Sequence, residues 1–364
     1  MTSKERMMLA LNREKPDRLP VTIHQWQPYH LAEHMGGVSD IEANRATGLD
    51  ASITFFETLE RPSPDWRLSS VSSKADGYVL IDHTIETPGG TLHYQQGRNA
   101  ITTWVSEHLV KGEAELELLR KYRPLPLLDR ERARKVHAEL GDDGILRTFL
   151  CGFQGGCWQD ACELYGAENL IMATFDKPHF VHDLLSVLQA EKLRYIEESL
   201  PGMPFDLIET GGGAASNTLI SPAIHEEFCL PYDRVQHDAL RALGFKTVYH
   251  TCGGMSRITT LIRDNHCDAS ETLSPTGVGG DIDTDATARQ VYADLHPTLA
   301  LIGGMDQNNI LERGDAAMIE GEVERLFGLY GQDGGYIMSA CDHFFAAPRE
   351  NIRHFAEAAR KYTY

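Results

Sequence analysis

The stretch FKTVYHTCGG, residues 245–254, joins a short apolar strand pattern to side chains that commonly bind metals. Side chains alternate along a strand, so His250 and Cys252 would point into one space at the strand end. Cys341 likewise follows a strand-like run, residues 335–340. One imidazole and two thiolates, completed by a carboxylate or a substrate atom, form a zinc site that leaves a position open for chemistry. The spacing therefore predicts a metal centre at the ends of two strands.

Short apolar runs of the same kind recur along the chain and alternate with longer helical patterns. This alternation is typical of βα units, and eight of them predict an α/β fold, a (β/α)₈ TIM barrel. The predicted strands span residues 19–24, 51–56, 145–151, 206–210, 245–250, 269–273, 299–304 and 336–340. The main predicted helices span residues 4–12, 178–199, 222–243, 255–264 and 316–330.

One interruption separates the second and third predicted strands. Residues 67–110 alternate Thr, Val, Ile, Tyr and His and carry a turn at Thr87-Pro88-Gly89-Gly90, which predicts a β-hairpin insertion. Helical patterns resume at residues 113–123 and 129–140. No repeat, linker or change of composition marks a second domain. We therefore interpret residues 1–364 as one barrel domain with an insertion at about 60–140.

Composition narrows the class of protein. A chain of 364 residues suits one α/β barrel with an insertion. Lys and Arg total 34 and Asp and Glu total 53, and the net charge of −19 argues against nucleic acid and an anionic membrane surface as partners. No apolar run reaches the roughly 18 residues of a membrane span, and residues 1–6 lead into an amphipathic helix without secretory features. A cytoplasmic location is expected, with the 7 cysteines as thiols or metal ligands.

Polar groups lie at most of the predicted strand ends, where α/β barrels carry their chemistry. Glu209 and Asp306 are predicted to be catalytic, although Glu209 would also suit a cap of the following helix and Asp306 a polar loop. Cofactor or substrate binding is predicted for His24, Trp26, Gly211 and Gly212. The two glycines would allow close approach of a ligand, and a tight turn explains them equally well. Asp342 and His343 are interpreted as groups that orient Cys341.

Three blocks of sequence carry a resemblance to a known family. They are ERMMLALNREKPDRLP (5–20), LISPAIHEEFCLPY (219–232) and GGYIMSACDHFFAAPRENI (334–352). With them the chain resembles the uroporphyrinogen decarboxylase superfamily over almost its whole length, which implies a (β/α)₈ barrel. The decarboxylases carry an N-terminal pair of arginines that hold substrate propionates, whereas the matching stretch here, HQWQPYH (24–30), has none.

The zinc- and corrinoid-dependent methyltransferases of that superfamily fit better. Those that methylate coenzyme M carry H-x-C and a remote Cys, matched here by His250, Cys252 and Cys341. A narrower similarity to cobalamin-independent methionine synthase, whose zinc is held by His, Cys, Glu and Cys in that order, implies Glu271 as a fourth ligand. The resemblance thus implies zinc as a cofactor, and a corrinoid carried by a separate corrinoid-binding protein.

The implied activity is methyl transfer between the corrinoid protein and a small-molecule donor or acceptor. A thiol such as coenzyme M, a folate, a methylamine and an aromatic methyl ether all remain open. Zinc would keep a bound thiolate nucleophilic or act as a Lewis acid on the leaving atom, so the ligand set leaves the direction of transfer open. The alternatives are a metal-independent decarboxylase or lyase of the same fold, and a barrel that only binds a corrinoid or metal. The oligomeric state is open, with a homodimer considered.

Overall fold

Parallel strands dominate the computed structural model, which describes residues 1–152 and 154–364. The described strands are β1 (Val21–Thr22), β2 (Ala51–Phe55), β3 (Thr58–Leu59), β4 (Arg67–Ala75), β5 (Tyr78–Thr87), β6 (Gly90–Arg98), β7 (Thr103–Glu107), β8 (Leu127–Leu128), β9 (Gly144–Phe149), β10 (Leu207–Gly211), β11 (Thr247–His250), β12 (Ala269–Thr272), β13 (Ala300–Met305) and β14 (Tyr336–Ala340). Eight of them form one sheet in the order β1-β14-β13-β12-β11-β10-β9-β2.

The two ends of this sheet meet, which makes it a barrel. The backbone N–H of Asp50, just before β2, donates to the carbonyl of Val21 in β1 at 2.8 Å. The Asp50 carboxylate also accepts from the N–H of Val21 at 3.0 Å, which ties the first strand to the second. The eight predicted strands are therefore confirmed, and so is the (β/α)₈ class of fold.

Helices connect the barrel strands and cover their outer faces. The described α-helices are α1 (Ser3–Leu11), α2 (Pro28–His34), α3 (Asp40–Thr47), α4 (Glu113–Tyr122), α5 (Arg130–Leu140), α6 (Cys157–Tyr165), α7 (Ala167–Asp176), α8 (Pro178–Ser199), α9 (Pro222–Phe228), α10 (Leu230–Ala242), α11 (Thr259–Asp264), α12 (Asp285–Leu295), α13 (Ala316–Leu326) and α14 (Arg349–Ala359). Short 3₁₀ turns span Gly213–Ala215 and Thr276–Val278, and π-helical turns span Gln307–Glu312 and Phe327–Gly331. Across the described residues, none of the helices combines the length and apolar character that a membrane span requires.

Two helix predictions were wrong in detail. The helix predicted over residues 222–243 is two helices, α9 and α10, which meet at Cys229. Pro231 lies in the first turn of α10, where its missing N–H is tolerated, but a proline in mid-helix would remove a hydrogen bond and clash with the preceding turn. The helix predicted from residue 255 begins only at Thr259. The backbone N–H of Met255 donates instead to Asp281 at 2.9 Å.

The insertion between β2 and β9 is larger than the predicted hairpin. Its four strands β4 to β7 form an antiparallel sheet in chain order, and the predicted turn joins β5 to β6 with Thr87 opposite Gly90. Ile85 and Leu92 of this sheet are buried in an apolar cluster that also contains residues of α4, α6 and α8. The helices predicted over residues 113–123 and 129–140 are confirmed as α4 and α5.

Strand register determines which side chains meet inside the barrel. His250 of β11 pairs with Glu271 of β12, and Leu207 and Glu209 of β10 pair with Arg147 and Phe149 of β9. Most other buried positions on these strands are apolar, such as Ile145, Leu207 and Val248. The central strands thus bring ionisable groups from different parts of the chain into one buried space.

Candidate metal centre

A buried cluster of charged side chains occupies the barrel at the ends of four neighbouring strands. Arg147 of β9, Glu209 of β10, His250 of β11 and Glu271 of β12 are all nearly inaccessible to solvent. The Arg147 guanidinium donates to Glu209 Oε2 at 2.7 Å and to both oxygens of Glu271, at 2.7 and 3.1 Å. One arginine therefore faces two carboxylates, and its paired hydrogen bonds to Glu271 fix the plane of that group.

The two ring nitrogens of His250 differ in their hydrogen bonding. Its Nδ1 lies 2.9 Å from Glu271 Oε1 and 3.7 Å from Glu209 Oε1. An ionised carboxylate can only accept, so Nδ1 carries the proton and donates it to Glu271. The buried Nε2 has no hydrogen-bond partner among the described residues. A buried imidazole oriented by a carboxylate, with its other nitrogen unpaired, has the arrangement of a metal-bound histidine.

Two further ligand groups lie beside His250. One ligand atom each of His250, Cys252 and Asp342 lie within 4.8 Å of one another. Gly213 makes room for the thiol, because a Cβ at that position would lie 2.6 Å from Cys252 Sγ. Although burial opposes it, His250 and the backbone N–H of His343, which donates to Oδ1 at 2.7 Å, hold the pKa of Asp342 below its ordinary value, so this carboxylate is available as an anionic ligand. The predicted proximity of His250 and Cys252 is thus present in the structure.

Glu271, the predicted fourth ligand, does not lie in the same group of ligand atoms as Cys252. It belongs to a second group of ligand atoms within 4.8 Å, together with His24, Glu209 and His250. Both of its oxygens already accept hydrogen bonds from Arg147, and Oε1 also faces His250. Burial would raise the pKa of Glu271, but Arg147 and His250 hold it well below the ordinary value. The contacts favour a carboxylate that orients His250, and direct ligation by Glu271 stays a prediction.

Cys341 is not brought to the other predicted ligands. It follows β14, is fully buried, and its Sγ lies 3.9 Å from the carbonyl oxygen of Leu273. The groups of potential ligand atoms in the described part of the chain contain its neighbour Asp342 and not Cys341. Burial raises the pKa of the Cys341 thiol, so the thiol keeps its proton in this environment. Its role as a zinc ligand stays a prediction from the resemblance.

Glu209 and His24 are buried side chains that border a cleft. Both line an open cleft of ≈ 220 Å³, together with Gln25, Gln27, Phe56, Phe149, Gln154 and His343. We call this space the His24 cleft. Burial raises the pKa of Glu209, with Arg147 and His250 opposing it only in part. Burial likewise lowers the pKa of His24 to about 3, so this imidazole is neutral. A neutral imidazole and a carboxyl group with a raised pKa thus face one cleft.

The remaining predicted site residues lie outside the cluster. Asp306 caps the π-helical turn that follows it, because its Oδ1 accepts from the N–H groups of Asn308 and Asn309 at 2.9 and 2.8 Å. Trp26 is buried with its ring centroid 5.8 Å from that of Phe344. These contacts give Asp306 a structural role, and its predicted catalytic role stays a prediction.

Gly211 and Gly212 sit where two chain segments pass closely. Gly211 has φ +82°, and a Cβ there would lie 2.6 Å from the carbonyl oxygen of His250. The N–H of Gly212 donates to that same carbonyl at 2.9 Å. Both glycines are therefore explained by the packing of β10 against β11, and their predicted binding role stays a prediction.

Arg147 was not predicted as a site residue, and Asp342 was predicted only to orient Cys341. Arg147 lies in the run GILRTF, where it is the sole charged residue of the otherwise uncharged strand β9. A charge in a buried strand requires a buried counter-charge, so that pattern was a usable signal. Asp342 offered no such signal, because its distance from Cys252 depends on how the barrel closes.

Comparison with known proteins agrees with an enzyme barrel of this architecture. The chain belongs to the uroporphyrinogen decarboxylase (URO-D) family, whose sequence pattern matches residues 86–362. Among its relatives is a uroporphyrinogen decarboxylase of Xanthomonas oryzae pv. oryzae (strain PXO99A), 24% identical over 261 residues, which are 67% of each protein. The enzyme of the same name from Xanthomonas euvesicatoria pv. vesicatoria (strain 85-10) is 23% identical over 352 residues, 92% of this chain and 90% of the relative.

A methyltransferase from Methanosarcina mazei has the same fold. It superposes with a TM-score of 0.67 at 16% sequence identity and covers 99% of both chains. At that identity the likeness concerns the architecture alone.

Proposed function

We propose that this chain is a zinc-dependent methyltransferase that moves a methyl group between a corrinoid carried by a partner protein and a small molecule. The observation that carries the proposal is the buried His250, whose Nε2 has no hydrogen-bond partner among the described residues and which shares a group of ligand atoms within 4.8 Å with the Cys252 thiol and the Asp342 carboxylate. Imidazole, thiolate and carboxylate are the three ligand types that zinc takes from proteins. His250 and Cys252 would hold the metal, with Cys341 or Asp342 as the third protein ligand.

Zinc bound here would keep a coordinated thiol deprotonated or polarise the atom that leaves the methyl group. The surrounding residues would prepare that chemistry. Glu271 accepts the Nδ1 proton of His250 and so holds the ring with Nε2 toward the metal position. Arg147 compensates the buried charges of Glu271 and Glu209, which lie on either side of it.

Glu209 is the group best placed to handle a proton in the His24 cleft. Its pKa is raised by burial, and its side chain lines the cleft beside His24 and His343. A carboxyl group with a raised pKa takes up a proton more readily than an ordinary carboxylate, so it can receive the proton of an entering thiol or pass one to a leaving nitrogen or oxygen. This role supports the prediction that Glu209 is catalytic and fits either direction of methyl transfer.

The runner-up function is uroporphyrinogen decarboxylation, the activity for which the Xanthomonas relatives are named. Its substrate carries many carboxylates and requires counter-charges. Neither Lys nor Arg is among the residues that line the His24 cleft, and the buried Arg147 is already engaged by two glutamates. A polyanion bound there would lose hydration without compensation. The methyltransferase is therefore the better-supported proposal, and a cytoplasmic location and a corrinoid-binding partner belong to it.

Elemental analysis of the purified protein tests the proposal. We expect one zinc per chain after zinc supplementation and less than about a tenth of that in Cys252→Ala, because a catalytic site cannot lose a thiolate without losing affinity. Cys151→Ala is the matched control, since Cys151 is also a half-buried free thiol but belongs to none of the ligand groups. Zinc near zero in the unaltered protein would contradict the proposal.

Turnover separates the two functions. Incubation of a methylated corrinoid protein with thiol and folate acceptors should show loss of the methyl–cobalt absorption, or incubation of the cobalt(I) corrinoid protein with methylated amines and methyl ethers should show its gain, with at least one partner. Neither change should occur with Cys252→Ala. Incubation with uroporphyrinogen should yield no coproporphyrinogen. Formation of coproporphyrinogen at a rate unaffected by Cys252→Ala would establish the decarboxylase instead.

A further inference from the structure

A second cleft lies next to the His24 cleft and has a different lining. It has a volume of ≈ 320 Å³ and is lined by Trp26, Ile53, Phe55, Asp40, Glu139 and Arg132, among others. We call it the Trp26 cleft. Gln25 and Phe56 line both clefts. A molecule held in the Trp26 cleft would therefore border the space into which Glu209 and His24 face.

The inner wall of the Trp26 cleft is apolar with one unsatisfied donor. Ile41, Ile53, Phe55 and Val136 are each less than one tenth exposed. Trp26 is 4% exposed, and its indole Nε1 has no hydrogen-bond partner among the described residues. An indole N–H can only donate, and a buried donor without an acceptor is costly. A ligand oxygen that reaches this N–H would supply the missing acceptor.

The outer wall is negatively charged. Asp40, Glu57 and Glu139 face a single cation, Arg132, whose Nε lies 3.4 Å from Glu57 Oε1. That pair is exposed and compensates one carboxylate. No Lys, Arg or His nitrogen of the described residues lies within 4.0 Å of the carboxylate of Asp40 or Glu139. Burial raises the pKa of Asp40, and the charge of Arg132 opposes this shift only in part.

We propose that the Trp26 cleft binds an organic cation, namely a methylated ammonium that also carries an oxygen acceptor. The carboxylates of Asp40 and Glu139 would attract the positive charge, and the indole face of Trp26 is the best aromatic surface for such a group. The ligand oxygen would accept from Trp26 Nε1, and the methyl groups would contact the wall of Ile53 and Phe55. An anion or a neutral molecule would leave the two carboxylates uncompensated.

This assignment rests on the proposed function for the role of the ligand, though not for its binding. If the cation is the methyl donor, its C–N bond breaks with the electron pair left on nitrogen, which gives a neutral tertiary amine. The bond from the methyl carbon to cobalt would form in the same displacement, with the electron pair supplied by the reduced cobalt(I) corrinoid of the partner protein. The shared residues Gln25 and Phe56 place the two clefts side by side, as such a transfer requires.

Calorimetric titration of the full chain with choline and with 3,3-dimethylbutan-1-ol tests the proposal. The two probes have the same shape and hydroxyl group, and only choline is charged. We expect choline to bind at least about tenfold more tightly than the neutral probe, since losing one ionic and cation–π contact costs on this order. Equal affinity of the two probes, or no binding of choline up to 10 mM (about −2.7 kcal/mol), would overturn the proposal.

Substitutions locate the binding to this cleft. Glu139→Gln and Trp26→Leu should each weaken choline binding roughly three- to tenfold. Glu139 is exposed, so its substitution leaves folding intact, and Glu131→Gln on the same helix is the control because Glu131 already pairs with Lys135 at 2.7 Å. Unchanged choline affinity in both Glu139→Gln and Trp26→Leu would overturn the assignment.

The proposed function can fail independently of this one. Cys252→Ala should lose zinc and bind choline as the unaltered protein does, because Cys252 is not part of the cleft. Choline binding by a protein that holds no zinc in any form would support the cation site and contradict the zinc enzyme. Zinc binding without choline binding would support the zinc enzyme and contradict the cation site.

Discussion

The carboxylate of Glu271 accepts the Nδ1 proton of His250 at 2.9 Å and, on its other side, two hydrogen bonds from Arg147. These residues belong to β12, β11 and β9, respectively, and form one buried hydrogen-bonded network of ionisable side chains. Because Arg147 stabilises the ionised form of Glu271, that carboxylate stays an acceptor and fixes the orientation of the imidazole. The position of His250 Nε2 is thus determined by residues that need not touch a metal themselves.

The first prediction concerns Glu271→Gln. The amide keeps the size of the side chain but loses the charge that Arg147 and His250 require, so the imidazole is less firmly oriented. We expect zinc to remain near one per chain at saturation while its affinity falls about 10- to 100-fold. Competition with a chromophoric chelator measures the change, with Glu350→Gln as an exposed control. Complete loss of zinc would instead identify Glu271 as a direct ligand, and unchanged affinity would remove it from the site.

The second prediction concerns Cys341 and Asp342, neighbours that compete for one ligand position. Zinc prefers thiolate to carboxylate, and the contact of Cys341 Sγ with the carbonyl oxygen of Leu273 is long, at 3.9 Å. We therefore expect two sulfur ligands in the zinc-edge X-ray absorption spectrum of the unaltered protein and one in Cys341→Ser. A single sulfur in both proteins, together with loss of zinc in Asp342→Asn, would assign the position to Asp342.

The third prediction concerns Arg147→Met. This change leaves Glu209 and Glu271 buried next to each other without their counter-charge, and breaking such a group typically costs about 3–5 kcal/mol in the free energy of unfolding. Denaturant unfolding with a chelator present in every sample measures it. Arg132→Met is the control, because its pair with Glu57 is exposed and should contribute about 0–1 kcal/mol.

A compensating variant checks the cause of that instability. Adding Glu209→Gln and Glu271→Gln to Arg147→Met removes the unpaired charges, so the triple variant should be more stable than Arg147→Met alone. If the triple variant were the less stable of the two, buried charge would not be the source of the loss.

The fourth prediction concerns Asp233, a buried residue of α10 outside the cluster. Burial raises its pKa from 3.8 to about 7. The folded state therefore holds this proton more tightly than the unfolded chain, and its contribution to stability is full below about pH 4 and is lost as the pH rises through 7. Asparagine has no proton to lose here, so Asp233→Asn should remove this pH dependence. The effect of the substitution on the free energy of unfolding should be more favourable at pH 8 than at pH 5 by more than about 1 kcal/mol.

Thermal or denaturant unfolding at the two pH values measures the effect. Asp183→Asn is the control, since Asp183 is about half exposed and its partner Arg120 stays charged at both pH values. Equal stability changes at pH 5 and pH 8 for Asp233→Asn would contradict a raised pKa in the folded state.

Much of the architecture could be predicted because it depends on local patterns. All eight barrel strands were located from short apolar runs, and the turn at Thr87–Gly90 from its prolyl and glycyl residues. The helix over residues 222–243 was predicted as one, since hydrophobic spacing does not register a break of a single residue at Cys229. The insertion was underestimated because alternating residues show that strands exist and do not show how many pair.

The sequence by itself determined the barrel and the nearness of His250 to Cys252, because side chains two apart on a strand share a face. Only the tertiary structure decided the rest of the centre. Arg147 and Glu271 are separated by 124 residues, and their contact depends on the register of four parallel strands. The closeness of Asp342 to Cys252, and the displacement of Cys341 from them, depend on barrel closure and side-chain rotation. Such contacts are set by packing over the whole barrel, which no local pattern encodes.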